Sequence, residues 1–207
     1  VNFPLAGEGL RDLTTAGSWN DSAYYKSEAT LASYFLDAHY AYDDKYYVSG
    51  SFRRDGSSVF GTDNRWGNFW SVGAKWRITG EEFLKDNEIV TNAALRLSYG
   101  TVGNQDIDWY QARGFYSAGY NYNSKPGMAP SGFSNQQLTW EVAKKFDVGF
   151  DLSLLGGKIN MMFDTYLKNT NNLLYLKPVH STTGQTSMLS NIGSMRNYGI
   201  EFTLNTH

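Results

Sequence analysis

Cysteine is absent from the 207 residues, which removes disulfide frameworks, cysteine-rich zinc sites and thiol nucleophiles. No run of about 18 apolar residues occurs, so no membrane-spanning helix is encoded. Strong charge of either sign is missing: Lys+Arg 18 against Asp+Glu 20 leaves a formal net charge of -2. A chain so balanced offers no basic field to a nucleic-acid backbone, and Arg53-Arg54 is too small a pair to create one. Catalytic signatures are also lacking. His39, His180 and His207 are scattered, no His-Glu-x-x-His or Cys-His cluster exists for a metal, and Gly100-Thr-Val-Gly103 lacks the lysine of a phosphate loop. Asn104-Gln105-Asp106 and Asp43-Asp44 do not follow the calcium-loop pattern. No pair of carboxylates can be nominated for glycoside hydrolysis, since spacing in sequence does not fix their separation. The expectation is a protein that is not an enzyme, with no cofactor and no metal. The chain begins Val1-Asn-Phe-Pro-Leu, without a leader's basic and apolar regions, so a signal peptide is expected to be removed or to lie upstream.

What is abundant is strand and turn material: Tyr 15, Phe 12, Trp 6 and Gly 21, with only Pro 4. Period-2 alternation recurs along the chain. Over about Leu31 to Tyr42, Tyr34, Leu36, Ala38 and Tyr40 share one face, and Ser33, Phe35, Asp37 and His39 the other. About Lys45 to Arg54 sets Val48, Gly50 and Phe52 against Ser49, Ser51 and Arg53, after which Asp55-Gly56 reads as a turn. About Phe69 to Ile78 places Trp70, Val72, Ala74 and Trp76 against Ser71, Gly73, Lys75 and Arg77. About Ala93 to Gly100 sets Leu95, Leu97 and Tyr99 against Arg96, Ser98 and Gly100. From about Trp140 to Leu155, Phe146, Val148, Phe150, Leu152 and Leu154 oppose Lys145, Asp147, Gly149, Asp151 and Ser153. Two further strands are expected at about Lys158 to Lys168 and from Asn197 to Leu204. The sequence thus predicts an all-β antiparallel array of about seven strands.

The connections carry a second signal. Residues 1 to about 29 read as a loop or lead-in segment. Asp43-Asp44 and Gly156-Gly157 read as hairpin turns, the latter of the two-residue kind, and Thr79 to Asn92 as a short amphipathic turn or helix. If the strands run up and down, these fall on one side. Three longer loops, near residues 55 to 68, 101 to 138 and 169 to 196, fall on the other. Short turns on one side, long loops opposite, and strands of about 9 to 11 residues are the pattern of a transmembrane β-barrel, with the short turns periplasmic and the long loops outside. A mean hydropathy of -0.46 is compatible with it, because alternating strands average to a polar value. The competing reading is a soluble secreted all-β carbohydrate-binding module, its aromatic faces packed as a sandwich core.

Several motifs narrow the choice: Arg53-Arg-Asp-Gly-Ser-Ser-Val-Phe60, Asn64-Arg-Trp-Gly67, Trp76-Arg-Ile78, Leu97-Ser-Tyr-Gly-Thr-Val-Gly-Asn-Gln105, Leu138-Thr-Trp-Glu141 and Tyr198-Gly-Ile-Glu201. With these in order, residues 30 to 205 resemble the SusC/RagA type of TonB-dependent outer-membrane transporter. The resemblance implies a barrel of about 22 strands with an N-terminal plug, in the outer membrane of a Gram-negative bacterium. It also implies a SusD-like surface lipoprotein as lid, energy passed from TonB through the plug, and import of oligosaccharides or peptides. On that basis residues 1–207 are expected to be a single segment of the barrel domain, bathed by outer-membrane lipid, without the plug, the TonB box or the barrel ends.

Candidate site residues follow. Arg53, Arg54, Asp55, Gly56, Ser57, Ser58, Trp66 and Gly67 form the densest motif, read as a turn held by local hydrogen bonds rather than a ligand cluster. Trp66, Trp70, Trp76 and Trp140 read as an interfacial aromatic girdle. Trp109, Tyr110, Tyr116, Tyr120 and Tyr122 lie in the expected outer loop, where aromatic faces can stack on sugar rings or peptide side chains. They are the candidate substrate contacts.

Overall fold

The computed structural model describes residues 27–84 and 87–206; most of the expected lead-in lies outside them. Eleven strands follow one another: β1 (Leu31–Tyr42), β2 (Tyr46–Ser57), β3 (Trp66–Arg77), β4 (Val90–Asn104), β5 (Phe115–Tyr122), β6 (Lys125–Gly132), β7 (Glu141–Leu154), β8 (Ile159–Asn171), β9 (Leu174–Pro178), β10 (Ser187–Asn191) and β11 (Ser194–Thr206). Seven of them make one antiparallel sheet in the order β1-β2-β3-β4-β7-β8-β11, while β5-β6 and β9-β10 are separate hairpins. The sheet is therefore an uninterrupted meander into which two hairpins are inserted. It does not close: β1 and β11 each leave one edge unpaired among the described residues.

Pairing carries the alternation of single strands across the whole sheet. Tyr40 lies opposite Val48, Val48 opposite Ala74, Ala74 opposite Leu97, Leu97 opposite Val148, Val148 opposite Thr165 and Thr165 opposite Ile200. One row nearer the short turns run Tyr46, Trp76, Leu95, Phe150, Phe163 and Phe202. On the reverse face the matching row is Tyr47, Lys75, Arg96, Gly149, Asp164 and Glu201. Among the described residues nothing covers the apolar face: Leu36 is 70% exposed, Tyr198 78% and Ile200 71%. A soluble domain does not leave seven strands of aromatic and branched side chains bare, because contiguous apolar patches on such proteins stop at a few hundred Å². Among the described residues no second sheet packs there, which speaks against the sandwich arrangement. From Phe146 to Leu154 the apolar stretch of β7 runs for about 26 Å, the length that tilted strands need to cross a hydrocarbon layer.

Boundaries differ from the sequence reading in instructive ways. β2 does not stop at Asp55-Gly56; both residues are paired in the strand, opposite Gly67 and Trp66. Glycine stands there because a Cβ on Gly56 would lie 2.8 Å from the Trp66 ring. The expected loops at 101 to 138 and 169 to 196 contain the β5-β6 and β9-β10 hairpins, and β4 and β8 run on into them to Asn104 and Asn171. The Thr79 to Asn92 connection holds one 3-10 turn, Ile78–Gly80, and β4 begins at Val90. The turn after β7 is four residues, Leu155 to Lys158, rather than two, with Leu155, Gly156 and Gly157 all at positive φ.

The short-turn end is fastened by polar contacts. Asp43 and Asp44 take left-handed φ of 51° and 50°, the backbone of a tight hairpin whose twist suits its strands. Asp44 accepts from the Tyr47 hydroxyl and, at 2.5 Å, from Arg77 of β3. Glu81 Oε1 accepts from the Tyr46 hydroxyl at 2.5 Å and from Trp76 Nε1 at 3.0 Å, and Lys45 lies 3.8 Å from its other oxygen. Tyr46 and Trp76 thus keep their rings on the apolar face while their polar tips turn outward to Glu81. Hydrogen bonds from Tyr46, then Trp76, hold the Glu81 carboxyl below its ordinary 4.5, and Tyr47, then Arg77, hold Asp44 below 3.8. The Asp43 carboxylate raises Lys45 above its ordinary 10.5.

Two outcomes are expected in the full-length protein carrying this segment. Val148→Arg, at mid-height on the bare face, should lower stability in a bilayer by about 2–4 kcal/mol, read from urea unfolding, whereas Asp147→Asn on the reverse face should change it far less. Because the folded Glu81 carboxyl is depressed, its stabilisation is complete above the ordinary value and is lost as pH falls through the folded one. Glu81→Gln should therefore weaken the protein at neutral pH and flatten its acid-induced loss between about pH 5 and 3. An acid limb superimposed on the wild type's would remove Glu81 from this role.

Candidate functional site: the outer end and the polar wall

At the long-loop end the chain builds a small core of its own. Val59, Phe60, Phe69, Ala112, Leu138 and Trp140 are buried together, with Ile107, Val142, Leu174 and Leu189 packed around them. Phe69 points to the polar side of β3 and its ring covers two glycines: a Cβ on Gly103 would meet it at 2.1 Å and one on Gly67 at 2.5 Å. Trp140 packs edge-on to Phe69 at 5.4 Å and tilted to Phe60 at 5.2 Å, and its Nε1 donates to Arg65 O at 3.0 Å. Trp140 is therefore not part of an interfacial girdle, as its sequence setting suggested; it is 5% exposed and pins the outer loops to the polar wall. Trp66, Trp70 and Trp76 do lie on the apolar face, where Trp66 stacks on Tyr34 at 6.1 Å and Trp70 meets Tyr99 edge-on at 5.5 Å.

The dense motif is held locally. Arg53 Nε sits 2.7 Å from both oxygens of Asp55, and Asp55 is buried on the polar side. Arg54 points the other way, its guanidinium 5.2 Å from the Trp66 ring centroid. Ser57 N donates to Arg65 O at 3.0 Å, and Ser58 exchanges hydrogen bonds with Thr30 at 3.0 and 2.8 Å. Local hydrogen bonding, rather than a turn, describes these residues.

The five aromatic candidates are brought to one region but not to one surface. Trp109 and Tyr110 precede β5, and the Tyr110 hydroxyl accepts from Glu28 N at 2.6 Å while Arg113 lies 5.7 Å from its ring. Tyr116 pairs with Pro130 and Ala118 with Met128, but a bulge at Gly119 shifts the register so that Tyr120 pairs with Gly127 and Tyr122 with Lys125. Tyr120 and Tyr122 consequently face opposite to Tyr116. Both are exposed, as are Trp109 and Tyr116.

Two features escaped the sequence reading. A shallow groove on the polar wall below the buried core is lined by Arg53, Ser71, Asn104, Gln105 and Trp140, and the Gln105 Oε1 in it is buried without a hydrogen-bond partner among the described residues. Lower on the wall Arg96 bridges two strands, donating to Asp151 at 2.8 Å and to Asp164 at 2.9 Å. Gly149 makes this possible, since a Cβ there would lie 2.6 Å from the guanidinium and 2.3 Å from Asp164. The alternation announced charge on this face, but not which charges pair. The β9-β10 hairpin is tied in by Asn191, whose side chain accepts from Thr139 N at 2.9 Å and donates to Thr139 O at 2.8 Å.

Trp140→Ala should cost the outer-end core about 3–5 kcal/mol. In the full-length protein this should appear as faster proteolysis within residues 105–138 and 172–193 at unchanged strand assembly, and Gly103→Ala should act in the same direction by displacing Phe69. Wild-type cleavage rates in both variants would show that the cluster does not hold the loops.

Comparison with known proteins agrees with this geometry. The family described as "TonB dependent receptor-like, beta-barrel" matches residues 3–207. TonB-dependent receptor P39 of Formosa agariphila is 38% identical over 174 residues, 84% of this chain and 17% of that protein. TonB-dependent receptor SusC of Bacteroides thetaiotaomicron is 36% identical over 190 residues, 87% of this chain and 19% of that protein. The RagAB peptide importer in its closed-closed state superposes with a TM-score of 0.81 at 28% identity, over 96% of this chain and 22% of that one. The siderophore receptor PirA of Pseudomonas aeruginosa shares the fold alone, with a TM-score of 0.59 at 15% identity. The chain spans less than a fifth of the length of the curated relatives it matches. An open meander, bare on one face and charged on the other, with its long connections at one end, belongs to the TonB-dependent receptor family, SusC/RagA type, as part of the β-barrel.

Proposed function

We propose that this segment forms wall, lumen surface and outer loops of a transporter in the outer membrane of a Gram-negative bacterium, importing oligosaccharides or peptides. The observation that carries this reading is the division of one continuous sheet into a bare apolar face and a face of paired charges. Such a sheet separates lipid from a watery lumen, where charged side chains keep their hydration. The whole receptor works with a SusD-like surface lipoprotein and with TonB, acting through a plug. The reading is supported by similarity to SusC and to the RagAB peptide importer, and no chemical step is assigned to the segment.

Substrate contact is proposed at two places on the outer end. The β5-β6 hairpin offers Tyr120 and Tyr122, and the turn before it Trp109, as exposed rings for sugar or side-chain stacking. The groove beneath offers the polar side chains of Arg53 and Asn104 to a substrate hydroxyl, carbonyl or amide. Of the remaining aromatics, Tyr110 is already engaged by Glu28, and Tyr116 lies on the opposite hairpin face.

Replacing Trp109, Tyr120 and Tyr122 together by Ala in the full-length receptor should weaken binding of its oligosaccharide or peptide ligand roughly tenfold to a hundredfold, measured by calorimetry against a panel of both classes. Unchanged affinity would remove the hairpin from the substrate site. Recovery of the receptor in the soluble periplasm on cell fractionation would sink the membrane reading itself.

A further inference from the structure

The apolar face carries almost no charge, and what it carries is of one sign. Across all seven sheet strands its only ionisable acids or bases other than tyrosine are Arg54, Lys144 and Arg196. Every Asp and Glu of those strands lies on the reverse face. The three cations are also at one end. Lys144 and Arg196 flank Asn169 in a single row that continues to Thr101, and Arg54 lies one row further toward the long loops. The short-turn end of this face has none.

Their surroundings leave them without an anionic partner. Arg196 Nε donates to Asn169 Oδ1 at 2.7 Å, a neutral acceptor, and the ion pairs among the described residues use other cations. Lys144 and Arg196 stand two strands apart, roughly 10 Å, and Phe146, Leu167 and Tyr198 form the apolar row directly beneath. A single cation at this height could be satisfied by water. A row biased wholly to one sign, with neutral donors between, matches a multiply charged anion whose hydrocarbon lies on the rings below.

We infer that the row centred on Lys144 and Arg196 docks the headgroup phosphates of a phosphoglycolipid of the outer leaflet, its acyl chains lying on Phe146, Leu167 and Tyr198. The inference rests on the membrane orientation proposed above. Arginine grips a phosphate through paired N–H donors, lysine adds a point charge, and Asn169 holds the guanidinium in place.

The test uses the full-length receptor in mild detergent and native mass spectrometry, with diphosphoryl lipid A as probe, its dephosphorylated form as control, and inorganic phosphate as competitor. Wild type should retain the diphosphoryl lipid, Lys144→Gln/Arg196→Gln should lose about tenfold in occupancy, and Lys168→Gln, in the neighbouring row of the reverse face, should bind as wild type. Equal retention by the double variant, equal binding of the dephosphorylated lipid, or displacement by equimolar inorganic phosphate would each overturn the inference. Ser181→Cys, on the β9-β10 hairpin, should label with an impermeant maleimide on intact cells. No labelling would overturn the orientation as well, whereas labelling with unchanged lipid retention overturns only the lipid site.

Discussion

Everything in this segment depends on strand parity being kept across seven neighbouring strands, which it is apart from a shift between Val90 and Asn92 at the start of β4. Side chains alternate with a period of two, so a one-residue shift in any pairing would carry Phe146, Val148 and Phe150 to the polar side and Lys145, Asp147 and Asp151 to the bare one. The register avoids this from Tyr40 on β1 to Ile200 on β11. Turn chemistry helps to fix it: the left-handed Asp43 and Asp44 set β2 against β1. Arg96 adds a second lock, because its bonds to Asp151 and Asp164 hold only if β4, β7 and β8 are all in register and Gly149 lies beneath the guanidinium.

A one-layer sheet has no interior, so its ends must be secured by other means. At the outer end Phe69 and Trp140 gather residues from three loops into a dry cluster on the polar side. At the short-turn end the fastening is polar, with Glu81 and Asp44 collecting the tips of Tyr46, Trp76, Tyr47 and Arg77. The difference follows from loop length. Long loops carry enough apolar side chains to bury one another, whereas the three-residue turn after β1 exposes Asp43 and Asp44 and can offer only charge and hydrogen bonds.

How much was legible in the sequence follows from the same physics. The seven wall strands were, because two different solvents impose alternation. The inserted hairpins were not: β6 contains Pro126 and Pro130, β9 ends at Pro178, and β5 is broken by the Gly119 bulge, so neither hairpin displays a clean period. Asp55-Gly56 misled because Asp-Gly usually marks a turn, whereas here glycine answers a cross-strand demand from Trp66. Trp140 misled for a related reason. Its even number matches Phe146 and Val148, which face the bare side, but it stands just before β7 begins at Glu141, where the parity rule no longer binds the chain. The five aromatic candidates fall within one connection, yet the division of the tyrosines between two hairpin faces turns on one bulge that no spacing announces.

The two inserted hairpins also bear on how such a wall can handle a substrate. The β9-β10 hairpin is tied to the segment preceding β7, where Asn191 of β10 bonds Thr139 and Asn135 donates to Leu189 O at 2.9 Å, and Gln185 reaches Pro130 O of the β5-β6 hairpin at 3.0 Å. Ordering of this kind lowers the entropy cost at the substrate contacts proposed above. Yet the ties are side-chain hydrogen bonds to backbone at the surface, individually weak against water. The apolar cluster beneath supplies most of the holding force, and it lies on the polar side of the sheet, away from lipid. Because that cluster joins Phe69 of β3 and Val142 of β7 to Leu174 and Leu189, it holds the β9-β10 hairpin and the wall together as one unit.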